Sequence, residues 1–304
     1  MGEPAARVQA LTSMGNKATA DRRIWLVADD YGISRAVNAA IRDLLERGAI
    51  NATSVMVVAS GFDDSEAAKL NSLRADAAIG LHLTLTAPFR PLSEGYAPLH
   101  GGGFRSLRQT FLAAMLRRLS AAALTREIEA QVARFTAAFG RPPDFIDGHQ
   151  HVHLFPRIGA CLLSVARQSA PGAWVRQCGR VSPSFSDRKG VVLDLLSRHF
   201  RRLAQAFGVR TNPAFAGTYD FHSDANFADL FPRFLDGLPD EGVIMCHPGR
   251  VDDELARNDP LTTLREREYA FFASDAFRQL LIQRGYALRA PKHAHKQQTS
   301  ARSS

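Results

Sequence analysis

Ile24-Trp25-Leu26-Val27-Ala28-Asp29-Asp30-Tyr31-Gly32 sets the architecture. Its first five residues form an apolar run too short for a helix, so they read as a buried strand. The strand ends on two aspartates and a turn glycine. Ser34 then suits a helix N-cap, Val37, Ile41, Leu44 and Leu45 make one apolar stripe, and Gly48 closes the helix. The unit is a strand, an acidic turn and a helix.

It recurs along the chain. Thr53 to Val58 reads as a strand, Asp63 to Leu73 as a helix, and Ala77 to Leu85 as a strand carrying Gly80-Leu81-His82-Leu83-Thr84. A Pro/Gly-rich excursion from Ala87 to Phe104 precedes a helix through Thr125, Ile128, Val132, Phe135 and Phe139 that Gly140 caps. The apolar run before His149 is the next strand, and a helix through Ile158, Leu162 and Val165 starts after Pro156. Further on, Ala173 to Arg176 and Gly242 to Cys246 read as strands. Ser186 to Phe207 and Arg265 to Arg284 read as helices, and Gly285 precedes a short Tyr286-Ala287-Leu288 strand. Alternating strands and helices imply an α/β fold with a parallel sheet. With about seven such units, a closed or nearly closed barrel is favoured over an open sheet.

The 304 residues suffice for one such barrel, and 45% hydrophobic against 22% charged residues is the composition of an ordinary globular core. The expected organisation is a flexible tail at 1–22, one barrel domain at 23–291 and a flexible basic tail at 292–304. A net charge of +8 invites a nucleic-acid or anionic-membrane partner. The excess is spread over Arg105, Arg108, Arg117, Arg118, Arg198, Arg201, Arg202, Lys292 and Lys296 without aromatic interleaving, so nucleic acid is not expected, whereas peripheral contact with a membrane stays open. Cys161, Cys178 and Cys246 form neither a disulfide framework nor a zinc knuckle. With no signal-peptide core in residues 1–22 and no long apolar run, a reducing, cytoplasmic setting is expected. The oligomeric state stays open, a homodimer included.

In parallel barrels the loops after the strands build the active face, and four strand ends here are polar: Asp29-Asp30, His82, His149 and His247. In Asp147-Gly148-His149-Gln150-His151-Val152-His153, three imidazoles at alternate positions could share one face of an extended chain. A cation bound by one carboxylate and two imidazoles keeps positions open for water and a substrate oxygen. Hydrolysis of an amide then needs one more acid-base pair, for which Asp29 or Asp30 and His247 are the candidates.

Leu26 to Ser34, Gly80 to Thr84, Asp147 to His153 and Met245-Cys246-His247-Pro248-Gly249 together resemble the successive motifs of the YdjC-like carbohydrate deacetylases. That group includes chito-oligosaccharide deacetylases and a branch associated with hopanoid biosynthesis, and the resemblance spans about residues 24–289. It implies a distorted (β/α) TIM-like barrel of the polysaccharide-deacetylase type that removes N-acetyl groups from an amino sugar or glycolipid. It further implies one divalent ion, Mg2+ or Zn2+, held by Asp30, His82 and His149, with Asp29 as general base and His247 as general acid. Tyr31, Asp147, His151, Arg90 and Arg250 are candidates for substrate contact or for support of the ligands. Tyr31 stands where the family pattern usually has Phe, and Gly148 and Gln150 stand where it has Ser and His. His149 being the assigned ligand, the chain is expected to turn after it, leaving His151 near the substrate or behind the ligands and His153 packed.

The alternatives are another metal-dependent amidohydrolase or phosphoesterase on a similar barrel, and a catalytically silent sugar- or lipid-binding barrel. The first usually carries His-x-His on its first strand, where this chain has Asp29-Asp30. The second has no use for both Asp29 and His247. A metal-free glycosidase built on Asp29 and Asp30 is disfavoured, because adjacent residues of a regular strand face opposite ways. Ala87 to Phe104 is expected to be a lid or substrate loop. Arg105 to Arg118, apolar on one side and basic on the other, is expected to be an amphipathic helix covering the barrel, the alternative being a surface for a lipid-linked sugar at a membrane.

Overall fold

A computed structural model describes residues 22–97, 99–181, 188–220 and 226–289. The expected tails lie outside the described residues apart from Arg22, as does Ser186. The elements run β1 (Arg22–Tyr31), α1 (Arg35–Glu46), β2 (Ala52–Val55), α2 (Asp64–Asn71), β3 (Ala78–Leu83), α3 (Leu107–Met115), α4 (Ala121–Phe139) and β4 (Phe145–Gly148). After a 3-10 turn at His149–Leu154 come α5 (Ile158–Ser169), β5 (Trp174–Val175), α6 (Arg188–Phe207), β6 (Phe215–Ala216), α7 (Phe227–Leu235) and β7 (Val243–Cys246). The chain closes with α8 (Asp253–Asn258), α9 (Thr263–Phe272), α10 (Asp275–Gln283) and β8 (Tyr286–Leu288).

The strands lie in the order β5-β4-β3-β2-β1-β7-β6, with β8 added against the start of β1. All pairs are parallel. Isolated parallel bridges Val175↔Thr211 and Arg180↔Phe215 draw the β5 edge towards β6, so the sheet curls almost onto itself. β1 is central: Ile24, Leu26, Val27 and Ala28 are fully buried, which is why its first half reads as an unbroken apolar run rather than an alternating one. Ser34 caps α1 by accepting from the Val37 amide, and the buried stripe Val37, Ile41, Leu44 and Leu45 lies against the sheet. Because the strands are parallel, the residues at the ends of β1, β3, β4 and β7 all emerge at one end of the sheet.

The C-terminal half departs from expectation. The helix expected over Arg265 to Arg284 is two helices, α9 and α10, because the Ser274 hydroxyl accepts from the Phe277 amide and starts a new helix there. β6, α7 and α8 were not expected; β6 has two residues, too few to show a period, and α7 carries Pro232 in its interior. α4 begins at Ala121, ahead of Thr125, with Ser120 as its cap. No helix among the described residues is long and apolar enough to cross a membrane.

Tyr31 is a correction. Its ring is fully buried, and its hydroxyl donates to the Glu66 carboxylate at 3.0 Å and accepts from Arg42 at 2.7 Å. The buried Glu66 also accepts from Asn38 Nδ2 (3.1 Å) and Lys69 Nζ (2.9 Å), so the group pins α1 and α2 to the end of β1 and faces away from the cleft described below. Burial and the Glu66 carboxylate push the phenol's pKa up. Tyr31→Phe is expected to lower unfolding free energy by about 1–3 kcal/mol, because half-buried Arg42 and buried Glu66 each lose a partner, while turnover is unchanged. Chemical denaturation alongside an activity assay checks this; lost turnover at unchanged stability would restore Tyr31 to the substrate site.

Candidate active site

The register between β1 and β2 slips between Ala28 and Tyr31, and Asp30 takes φ = 67°, a left-handed conformation that aspartate tolerates. Asp29 and Asp30 therefore do not face opposite ways as in a regular strand. Both line one cleft, which corrects the premise used against a two-aspartate site.

Asp30 Oδ1 lies 3.0 Å from His149 Nδ1 and 3.2 Å from His82 Nε2. Its other oxygen accepts from Arg265 at 2.6 Å. Asp147 Oδ1, 2.6 Å from His82 Nδ1, orients that ring so that Nε2 points at Asp30, and Ser54 Oγ lies 3.0 Å from the same Nδ1. One donor atom each of Asp30, His82 and His149 falls within 4.8 Å of the others, and all three residues are buried. Burial opposes charge on Asp30, yet Arg265, His149 and His82 hold its carboxyl well below the usual range. Burial likewise opposes a charged His82, but Asp147 and Asp29 push its pKa up to about 10. The cluster is thus short of positive charge. One carboxylate and two imidazoles, one of them backed by a carboxylate, are a donor set that fits a divalent metal.

Asp29 is gripped from the opposite side. Arg176, fully buried at the end of β5, donates to both Asp29 oxygens at 2.7 and 2.6 Å, and its Nη2 is 2.5 Å from Asp147 Oδ2. His247 follows β7 at the cleft wall. Its backbone N–H donates to Glu268 Oε2 at 2.5 Å, and the Tyr219 hydroxyl donates to Oε1 at 2.7 Å. Burial pushes the Glu268 pKa up, with His247 and Tyr219 working against it. Arg176, Arg265, Glu268 and Tyr219 were absent from the sequence-based candidates. Applied to Ala173 to Arg176, the strand-end rule would have found Arg176. Arg265 sits in the first turn of a helix and gives no such sign.

The three alternate histidines part company after His149. Gln150 (φ 53°) and His151 (φ 58°) are left-handed, so the chain turns there as expected. His151 lines the cleft with Nδ1 3.5 Å from Cys178 Sγ, and burial, His153 and Arg176 push its pKa down. His153 donates from Nε2 to the Arg176 carbonyl at 2.9 Å, and burial and Arg176 push its pKa down to about 3. A Cβ on Gly148 would sit 2.8 Å from His153 Nδ1, so the glycine at this position goes with the packed histidine beside it.

The cleft holds about 930 Å3. Beyond the polar cluster its walls are mostly apolar: Leu107 and Phe111 of α3, Val192, Leu193 and Leu196 of α6, and Pro260, Leu261 and Leu264 around the start of α9. Arg90 and Arg250 are corrections, since neither lines it. Arg90 is exposed, and Arg250 lies over the Tyr269 ring at 5.0 Å and donates to its hydroxyl. Of the expected lid, Phe89 reaches the site, its ring edge-on to His149 at 5.8 Å between centroids.

A family model described as YdjC-like protein matches residues 23–283. A chitooligosaccharide deacetylase of Yersinia pestis (strain Pestoides F) is 29% identical over 266 residues, covering 86% of this chain and 94% of that protein. Among solved structures, an Enterococcus faecalis V583 protein named as a candidate for cellobiose-phosphate cleavage superposes with a TM-score of 0.71 at 22% identity, covering 88% of this chain and 97% of that one. A lactam utilization protein of Thermus thermophilus gives 0.50 at 14% identity, over 88% of this chain and 100% of the other. These two structural likenesses are of fold alone.

Arg176→Met leaves Asp29 and Asp147 buried beside each other without their cation. It is expected to destabilise the protein by about 3–5 kcal/mol, read from the denaturant midpoint. A loss below about 1 kcal/mol would mean that solvent reaches this pair and that the buried network is misassigned.

Proposed function

Because the chain belongs to the YdjC-like protein family, we propose that it hydrolyses the acetamide of an N-acetylated amino sugar, releasing acetate, with a divalent metal bound. The observation that carries this reading is the meeting of Asp30, His82 and His149 in the same cleft as Asp29 and His247. The kind of substrate comes from the relatives named chitooligosaccharide deacetylase.

Asp30, His82 and His149 would hold the ion, which when bound would polarise the acetyl carbonyl and make water acidic enough to attack near neutral pH. Asp29 accepts the proton of the attacking water. Arg176 fixes the plane of its carboxylate, and each oxygen keeps a second lone pair for that proton. His247 delivers a proton to the departing amine nitrogen, its position held by Glu268 through the backbone N–H. His151, kept neutral, offers a hydrogen bond to the sugar from the cleft wall. Two imidazoles favour zinc or another transition ion over magnesium by ligand softness.

The finer substrate reading is an amino sugar carrying an apolar group, that is, a glycolipid. A sugar ring needs hydroxyl partners, which Gln150, Thr218, Thr262 and Thr263 can supply, yet most of the wall past the polar cluster is leucine, valine and phenylalanine. An apolar aglycone fills them better than further sugar units do.

Acetate release from N-acetylated chito-oligosaccharides and from lipid-linked N-acetylglucosamine tests the reaction and the preference together. Chelation is expected to abolish activity, and added zinc to restore it. Asp29→Asn is expected to lower kcat by about a hundred- to ten-thousandfold. Metal content, measured on protein without a histidine tag, should stay at the wild-type level. Wild-type turnover in that variant with metal bound would remove Asp29 from its role. Silence on every amino sugar tested would favour a binding protein.

A further inference from the structure

Large hydrophobic side chains that stay exposed are not scattered evenly over this surface. Among the described residues, Leu107, Leu112, Met115 and Leu116 in and just after α3, and Val192 and Leu195 of α6, are 37 to 59% exposed. Both helices border the cleft, since Leu107 and Phe111 of one and Val192 and Leu196 of the other line it. On α3 the helical spacing continues two cleft-lining rows outward, Leu107 to Phe111 to Met115 and Arg108 to Leu112 to Leu116. The exposed residues therefore form a rim at the cleft mouth rather than a separate patch. The notion of α3 as a helix that merely covers the barrel is incomplete, because Leu112, Met115 and Leu116 are left in solvent.

Charge selects the occupant of this rim. From Phe104 to Arg126 there is no acidic residue, while Arg105, Arg108, Arg117, Arg118 and Arg126 are present. Arg108, Arg117 and Arg118 are exposed beside the apolar side chains, and α6 adds exposed Arg198, Arg201 and Arg202. Its Asp194 is held by Arg180 at 2.8 Å. A second copy of the chain would bring this same excess of arginines against itself. An anionic bilayer accepts both features at once, with apolar side chains entering the acyl boundary and guanidinium groups meeting lipid phosphates.

We propose that the α3 tip and the outer face of α6 dock on an anionic membrane, so that the cleft mouth opens at the lipid surface. This inference rests on the rim and its charge; it holds for either substrate above and is read independently of the reaction.

The test is co-flotation of the full chain with vesicles of phosphatidylcholine alone and with vesicles in which phosphatidylglycerol replaces part of it. The expected result is binding to the anionic vesicles, weaker binding to the neutral ones and release by salt. Leu112→Glu, Met115→Glu and Leu116→Glu combined should weaken binding roughly tenfold or more. All three side chains lie outside the cleft, so metal content, the circular dichroism spectrum and turnover of a soluble substrate should be unchanged. Arg117→Gln with Arg118→Gln should weaken anionic binding alone. Failure of the wild type to float with either vesicle overturns the proposal, as does undiminished binding by the triple variant. A wild-type dimer in solution that the triple variant dissociates, without vesicle binding, also overturns it and makes the rim a contact between copies. Inactivity on every amino sugar would leave the flotation result standing, so the two readings fail separately.

Discussion

The arrangement of the polar end of this barrel depends on charge balance in a space that water barely enters. Asp29, Asp30 and Asp147 are each at most 2% exposed, and the fully buried cations among them are Arg176 and Arg265. Three carboxylates against two guanidinium groups leave one negative charge over, and Asp259, nearer solvent, takes part of Arg265 as well. Isolated charges of this kind are too costly to bury. The shortfall explains why His82 is driven towards its protonated form although burial works against it. A divalent metal at the same point would supply the missing charge, allow His82 to be neutral, and leave the centre net positive where an acetyl oxygen gains negative charge.

This balance also sorts the carboxylates by role. Asp147 is occupied on both sides, by His82 and by Arg176, and serves to orient. Asp30 has one oxygen tied to Arg265 and the other among the imidazoles, so a single oxygen is left for the metal of the proposed reaction. Asp29 meets a guanidinium with both oxygens, which holds it in place for the proton-accepting part that the proposed reaction gives it. The slip in β1 at Asp30 is what lets two neighbours in sequence take such different parts on one face.

The sequence made legible whatever follows from one rule, that parallel strands deliver their C-terminal ends to one place. Asp29, Asp30, His82, His149 and His247 were found by it. Residues that reach the centre by another route were not: Arg265 comes from α9, and the side chain of Glu268, on the same helix, accepts from the His247 backbone amide. The facing of Asp29 and Asp30 was misread because a left-handed aspartate leaves no periodicity to read. Tyr31 was placed by its neighbours in the chain, whereas its hydroxyl answers to Glu66, whose burial no local pattern reveals. Arg90 and Arg250 were likewise chosen for nearness along the chain. β6 escaped because strands of two residues carry no pattern.

The cleft joins two unlike environments, and that contrast has a physical use. Its floor is a dense set of buried charges, while its walls are mostly apolar side chains that lower the local dielectric, with Arg108 and several threonines among them. In such a setting the interactions of Arg176 with Asp29 and of Arg265 with Asp30 are worth more than they would be at an open surface. The apolar rows of these walls lead outward onto the exposed side chains of α3 and α6. Solvent exclusion at the floor and apolar exposure at the mouth are therefore two ends of one surface. A substitution that made the walls polar would weaken the charge network beneath before it touched any residue of that network.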